Sequence, residues 1–181
     1  GSGRAPQKLT LDLLEKEGFA DGVPAFHAQS VTVPGAAAGW CNTIETLGRL
    51  NMATVLAPAI RLAEEGFPVA PLTAYFWGRG AERQLSQAAN GGELMLDGRA
   101  PRSGEIFRNP GLAKTFRALA EGGKAAYYQG AIAEAIAQVV QQAGGVMTVD
   151  DLAAHQSEWP EPLSTDYRGY RAWECPPNAQ H

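Results

Sequence analysis

Apolar residues recur every three or four positions through most of the chain, and that rhythm predicts helices. Across residues 131–143, Ile132, Ile136, Val139, Val140 and Ala143 fall at helical spacing, while Glu134, Gln138, Gln141 and Gln142 take the other side. This is the pattern of a surface helix with one buried face. Gly144-Gly145 supplies the left-handed conformation that closes it, and Thr148, three residues ahead of Asp151, opens a further helix with a capping box. An earlier helix is predicted from Asn109 as N-cap and Pro110 at the first helical position, with Leu112, Phe116 and Leu119 on one face and Gly122-Gly123 as the stop.

Upstream, Val31-Thr32-Val33-Pro34-Gly35 reads as a short strand turning directly into a helix that carries Ala37, Trp40, Ile44 and Leu47 inward and ends at Gly48. Residues 52–65 form the next predicted helix, with Val55, Leu56, Ala59 and Ile60 inward. Pro58 removes a backbone donor there, so a bend is expected near Ala57. Leu72, Tyr75, Phe76, Arg79 and Arg83 suggest a helix over 71–88, although Gly78 and Gly80 each cost about 1 kcal/mol relative to alanine in a helix interior. Residues 90–104 are loop-like in their glycine, proline and aspartate content. The alternation around Tyr167-Arg168-Gly169-Tyr170 predicts a hairpin over 163–175. Strands are thus expected mainly near the ends of the sequence, in a mainly α fold with a few short β-strands. No repeat or linker divides it, so residues 1–181 are expected to form a single domain.

Composition narrows the partners. The 181 residues include 15 basic and 19 acidic side chains, a formal charge of −4, without a lysine or arginine run that would neutralise a row of phosphates. Nucleic acid is therefore not an expected partner. Apolar runs are only a few residues long, far short of the roughly 20 that span a bilayer, so no membrane span is expected. The opening Gly1-Ser2-Gly3-Arg4-Ala5-Pro6 has neither a charged leader nor an apolar core, so any secretion signal is expected outside this sequence. Cys41 and Cys175 lie far apart and are expected to stay thiols. His27, His155 and His181 are equally dispersed, so no metal site is expected.

Local chemistry is sparse. The sequence has no Gly-x-Ser-x-Gly, no His-Glu-x-x-His and no phosphate-binding glycine-rich loop with a lysine. Glu64-Glu65 and Asp150-Asp151 read as solvated surface or caps, not as an acid–base pair. His155, near the end of a short helix, reads as a partner of the helix dipole in preference to a proton shuttle. Trp40, Tyr75, Phe76, Trp77, Tyr127 and Tyr128 recur at helical spacing and read as core.

Longer motifs say more. Val31-Thr32-Val33-Pro34-Gly35-Ala36-Ala37-Ala38-Gly39-Trp40 is followed by Gly48-Arg49-Leu50 and by Leu56-Ala57-Pro58-Ala59-Ile60-Arg61-Leu62-Ala63-Glu64-Glu65-Gly66-Phe67-Pro68-Val69. Tyr127-Tyr128-Gln129-Gly130, Gly144-Gly145-Val146-Met147-Thr148-Val149-Asp150-Asp151-Leu152, Tyr167-Arg168-Gly169-Tyr170 and Cys175-Pro176-Pro177-Asn178 come after them. In identity and order these segments resemble the central part of the large subunit of the gamma-glutamyltranspeptidase family.

That resemblance implies the helical lobe of an αββα N-terminal-nucleophile hydrolase. In such an enzyme a precursor cuts itself, and the new N-terminal threonine of the small subunit attacks a gamma-glutamyl amide with its own amine as base. No cofactor is implied. The implied partners are the small subunit, or downstream catalytic segment, and a small-molecule gamma-glutamyl or other acyl amide. The family has periplasmic, secreted and cytoplasmic members, so no one compartment is implied.

In the family an arginine near an Arg-Glu-x-x-Pro motif holds the donor's α-carboxylate through its paired donors. Aligned on Pro6, Ser2 stands at that position and Arg4 falls two places later, making Arg4 the candidate carboxylate-binding residue. The ending Asn178-Ala179-Gln180-His181 departs from the family's pattern, since Ala179 and His181 stand where glycines are expected. No threonine here matches the family's nucleophile, so the catalytic residue set of this chain is expected to be empty and the chain alone inactive. Two rival expectations are a fragment of a cephalosporin or glutaryl acylase and a non-catalytic helical binding module. Strand edges left open by a divided sheet are also expected to draw the chain into association with itself or a partner.

Overall fold

The computed structural model describes residues 3–176. The chain divides into two compact units, Gly1–Gly48 with Lys124–His181, and Arg49–Gly123.

In the first unit, Thr10 caps α1 (Leu11–Lys16) by accepting the Leu13 N–H at 3.2 Å. Residues 31–35, expected as a strand, are extended but belong to no ladder. The Val33 N–H is instead donated to the carbonyl of Arg4 at 3.0 Å, a single loop-to-loop bond. Helix α2 (Ala36–Leu47) follows at once and stops at Gly48 as predicted. Its buried face is rotated from the expected stripe: Ala37, Ala38 and Cys41 are buried, while Trp40 and Leu47 are exposed. Small side chains take the inward positions, and the Tyr128 hydroxyl reaches the Ala38 N–H there at 3.1 Å.

The same substitution of small for large occurs in α6 (Ala131–Gln142). Ala133, Ala137 and Val140 are buried and Val139 is exposed. Gly144, at φ +88, turns the chain after that helix. Thr148 caps α7 (Val149–Ala153) with both halves of the predicted capping box formed. The buried Gln29 is satisfied by bonding Glu17 at 3.0 Å and the Gly144 carbonyl at 3.4 Å, which joins three loops.

The predicted hairpin forms from β3 (Leu163–Tyr167) and β4 (Tyr170–Glu174), with Tyr167 opposite Tyr170. Arg168 at φ +50 and Gly169 at φ +83 make its two-residue turn, the conformation that matches strand twist. Every residue of both strands is exposed.

In the second unit, Asn51 caps α3 (Met52–Glu65) by accepting the Thr54 N–H at 2.8 Å, and the helix runs without a break through Pro58. Leu56, Ile60 and Ala63 are buried, whereas Val55 is exposed. The chain then makes a pair of strands that no periodicity announced, β1 (Phe67–Pro68) antiparallel to β2 (Ile106–Phe107). Helix α4 (Pro71–Gly80) passes through Gly78 and continues into a wider turn at Ala81–Leu85, so the helix expected over 71–88 changes character after Gly80. Tyr75 and Phe76 are both 58% exposed, which corrects their reading as core, as does the exposure of Trp40. Trp77, half-buried, packs inward instead, meeting the Phe107 ring edge-on at 4.7 Å and donating its indole N–H to the Leu94 carbonyl at 2.9 Å.

Helix α5 (Pro110–Tyr128) begins as predicted, with Asn109 Oδ1 accepting the Leu112 N–H at 2.9 Å. Gly123 leaves helical geometry at φ +58, ψ −149, so the predicted stop is a kink after which helix resumes to Tyr128. Mainly α structure with a few short strands is thus present as expected. No helix of the described residues is long and apolar enough to cross a membrane.

Candidate substrate-carboxylate cleft

The first unit carries a cleft of about 290 Å³ lined by Arg4, Gln7, Val33, Asp150, Asp151 and His155, together with Ala5 and Ala154. Two bonds fix the segment that delivers Arg4. Its carbonyl accepts the Val33 N–H at 3.0 Å, and three residues later the Gln7 N–H is donated to Asp151 Oδ1 at 2.8 Å. Gly3 is pressed so closely to Val33 that a Cβ there would lie 1.6 Å from the Val33 carbonyl oxygen, an approach only glycine permits.

Asp151 is the anchor of this arrangement. Its Oδ2 accepts the Thr148 N–H at 2.8 Å and the Thr148 hydroxyl at 2.7 Å. Burial alone would raise its carboxyl pKa. The donors from Gln7 and Thr148, with the charge of Lys8, outweigh burial and hold it below the usual carboxylate range. Asp151 is therefore a charged cap, as the sequence indicated for the Asp150-Asp151 pair. Glu64 meets Arg117 and Glu65 lies 4.0 Å from Arg61, so the other carboxylate pair is also a surface feature.

Arg4 lies on the cleft wall with its side chain exposed, and among the described residues its guanidinium has no ion-pair or hydrogen-bond partner. A planar fork left unpaired in a concave wall is suited to a two-oxygen anion. Ser2, at the position of the family's arginine, and Asn178 to His181 lie outside the described residues.

His155 differs from its sequence reading. It is 9% exposed, its Nδ1 is buried without a partner, and its ring stacks on Tyr128 with centroids 5.1 Å apart and planes 22° from parallel. Burial first, and then the charge of Lys124, push the imidazole below its ordinary pKa. The ring is therefore held neutral, whereas a favourable helix-dipole partner would be charged.

Tyr128, the one buried member of the six aromatics expected as core, uses its hydroxyl twice. It donates to the Pro34 carbonyl at 2.6 Å and accepts the Ala38 N–H at 3.1 Å. Burial foremost raises its phenol pKa, so the hydroxyl keeps its proton for the first of these bonds. Helical spacing marked Tyr128 as core but carried no sign of this polar role, because Pro34 and Ala38 are about 90 residues away.

The cleft's described residues assemble no nucleophile–base pair. Among the described residues no hydroxyl is hydrogen-bonded to an imidazole, and the Thr148 hydroxyl is committed to its cap. Cys41 and Cys175 are both free thiols, the first buried with its pKa raised chiefly by that burial. No group of three or more His, Cys, Asp or Glu among the described residues is arranged to hold a metal. Two larger concavities lie in the second unit. One is apolar, around Leu72, Phe76 and Trp77, and the other is walled by the paired Glu64 and Arg117.

Comparison with known proteins gives this wall a context. The chain is 36% identical over 181 residues to the Glutathione hydrolase-like YwrD proenzyme of Bacillus subtilis (strain 168), covering 99% of this chain and 34% of that protein. It is 34% identical over 177 residues to the Glutathione hydrolase proenzyme of Escherichia coli (strain K12), covering 96% of this chain and 30% of that protein. Among solved structures, cephalosporin acylase from Bacillus halodurans superposes with a TM-score of 0.90 at 41% identity, covering 98% of this chain and 34% of the acylase. Helicobacter pylori gamma-glutamyltranspeptidase superposes with a TM-score of 0.86 at 27% identity, covering 97% of this chain and 51% of that one. The chain spans about a third of the length of the curated relatives it matches. Its mainly helical architecture is that of the corresponding part of these N-terminal-nucleophile hydrolases. The family model described as Gamma-glutamyltranspeptidase matches residues 1–181, and on that end-to-end match the chain belongs to the gamma-glutamyltranspeptidase family.

Proposed function

We propose that this chain is the donor-binding part of an acyl-transfer enzyme that moves or hydrolyses the acyl group of amide donors such as glutathione. In this reading a threonine in a downstream catalytic segment forms the acyl ester, with its own amine as base. The β3–β4 hairpin is where that segment docks, since both strands present unpaired edges and exposed aromatics. The observation that carries the reading is the Arg4 guanidinium on the cleft wall, unpaired among the described residues. It supplies a carboxylate receptor two positions from where the family's arginine stands. The chain by itself has no nucleophile–base pair among its described residues and is expected to leave gamma-glutamyl-p-nitroanilide intact.

The test is made in the complete gene product that carries this chain. Arg4→Ala is expected to raise KM for gamma-glutamyl-p-nitroanilide about tenfold or more, the worth of a charge-assisted hydrogen bond. The decarboxylated donor, 4-aminobutyryl-p-nitroanilide, is expected to be unaffected. Equal losses on both donors would remove Arg4 from carboxylate recognition.

A second reading changes the donor to a glutaryl amide. It is supported by the higher identity to the cephalosporin acylase, 41%, than to the Helicobacter pylori transpeptidase, 27%, and by Ser2 at the arginine position. Glutaryl and gamma-glutamyl groups carry a carboxylate on the same carbon and differ in the amino group, so Arg4 serves either. Competitive inhibition of glutaryl-amide hydrolysis by glutathione would count against the acylase reading.

A further inference from the structure

We propose that Tyr128 is a positioning residue for Arg4, acting through the turn that leads into α2. The inference rests on the reading of Arg4 as carboxylate receptor and adds how that arginine is held. Four contacts make the connection. The Tyr128 hydroxyl donates to the Pro34 carbonyl at 2.6 Å and accepts the Ala38 N–H at 3.1 Å, so one oxygen ties the entry of the helix to its third residue. Val33, immediately before that tie and 1% exposed, donates its N–H to the Arg4 carbonyl at 3.0 Å. The Tyr128 ring is in turn held by its stack on His155, whose imidazole lies behind Gly35, 3.6 Å from where a Cβ would stand.

Residues 34–38 therefore cannot shift while the hydroxyl bridges them, and Arg4 is registered against residue 33. The second attachment of the Arg4 segment, Gln7 to Asp151, lies three residues further on, so Arg4's own position is set at Val33, by its N–H bond and by the close seat of Gly3 against its carbonyl. Removing the hydroxyl leaves the Pro34 carbonyl and the Ala38 N–H without the partners they have here, and the turn relaxes to recover them. Recognition geometry is sensitive to such small displacements because a bidentate fork must meet both carboxylate oxygens at once.

The experiment is Tyr128→Phe in the complete gene product, alone and combined with Arg4→Ala. The single variant is expected to raise KM for gamma-glutamyl-p-nitroanilide or glutaryl-p-nitroanilide about fivefold to tenfold with kcat nearly unchanged. Donors lacking the carboxylate, 4-aminobutyryl- and butyryl-p-nitroanilide, should keep their wild-type KM. In the double variant the tyrosine substitution should add nothing to the effect of Arg4→Ala, since both act through one contact. Hydrogen exchange of the Val33 amide should quicken in Tyr128→Phe at a temperature where the variant remains folded.

Val33→Pro approaches from the other end. It deletes the donor to the Arg4 carbonyl, leaves Tyr128 whole, and should give the same donor-selective rise. It also carries the test if Tyr128→Phe does not fold. Equal effects on donors with and without a carboxylate, or full additivity in the double variant, would overturn the inference. If Arg4→Ala itself is unselective, the functional reading fails. If it is selective and the folded Tyr128 and Val33 variants are not, only the positioning role fails.

Discussion

His155 shows how one buried atom sets a pH dependence. Among the described residues its Nδ1 has no partner, so protonation would bury an unpaired N–H and a charge that Lys124 repels. The folded-state pKa lies below the ordinary 6.5, so the unfolded chain takes up the proton first. Stability is therefore full above about 6.5 and is lost as pH falls through the depressed folded value. Thermal melts should move down between pH 7.5 and 5, and His155→Phe, which keeps the stack on Tyr128, should flatten that slope. An unchanged slope in the variant would show that another group governs it. Glu105 acts in a separate window. The Arg99 guanidinium foremost, aided by the Arg102 N–H, holds its carboxyl down at about 2, so its contribution is kept above 4.5 and lost only as pH falls through about 2.

At the scale of elements, caps and loop glycines decide where chain segments start and turn. Thr148→Ala removes the hydroxyl that closes the capping box on α7 and loosens Asp151, which also holds Gln7. The expected loss is about 1 kcal/mol, read from urea denaturation. Gly66→Ala should cost more. Gly66 sits at φ +92, ψ 169, a region essentially reserved for glycine, and an added Cβ would lie 2.5 Å from Ile106 and 2.9 Å from the Phe107 carbonyl. Strain and overpacking together should cost about 2 kcal/mol or more, and a loss below 0.5 kcal/mol would contradict the tight β1–β2 contact.

At the scale of the whole molecule, the exposed hairpin matters most. Leu163, Tyr167, Tyr170 and Trp173 are all exposed on a two-stranded ribbon, an arrangement that is marginal in water unless something covers it. We expect the isolated chain to self-associate in light scattering at high concentration, and Trp173→Glu to reduce that association. A monomer at all concentrations would argue that the hairpin needs no cover. The net charge of −4 is too small to suppress such contacts by repulsion at physiological salt.

Amino-acid order alone settles what neighbouring residues can negotiate among themselves. The Thr148 capping box, the Asn109 cap with Pro110, the stop at Gly48 and the Arg168-Gly169 turn all use bonds or dihedral freedom within a few residues. Those features were legible, as was the candidacy of Arg4, which came from motif resemblance. Which face of each helix points inward is a matter of three-dimensional packing. In α2 it buried Ala37 and Ala38 and left Trp40 and Leu47 exposed, and in α6 it buried Ala133 and Ala137 and left Val139 exposed, a choice invisible to periodicity, which counts apolarity and not size. It also decided that β1 pairs with β2 across some 40 residues and that His155 is buried and neutral. The joining of Tyr128 to residues 34–38, and through Val33 to Arg4, was decided there too. Such contacts depend on loop closures between distant parts of the chain, and a pattern read over a few turns of helix carries no record of them.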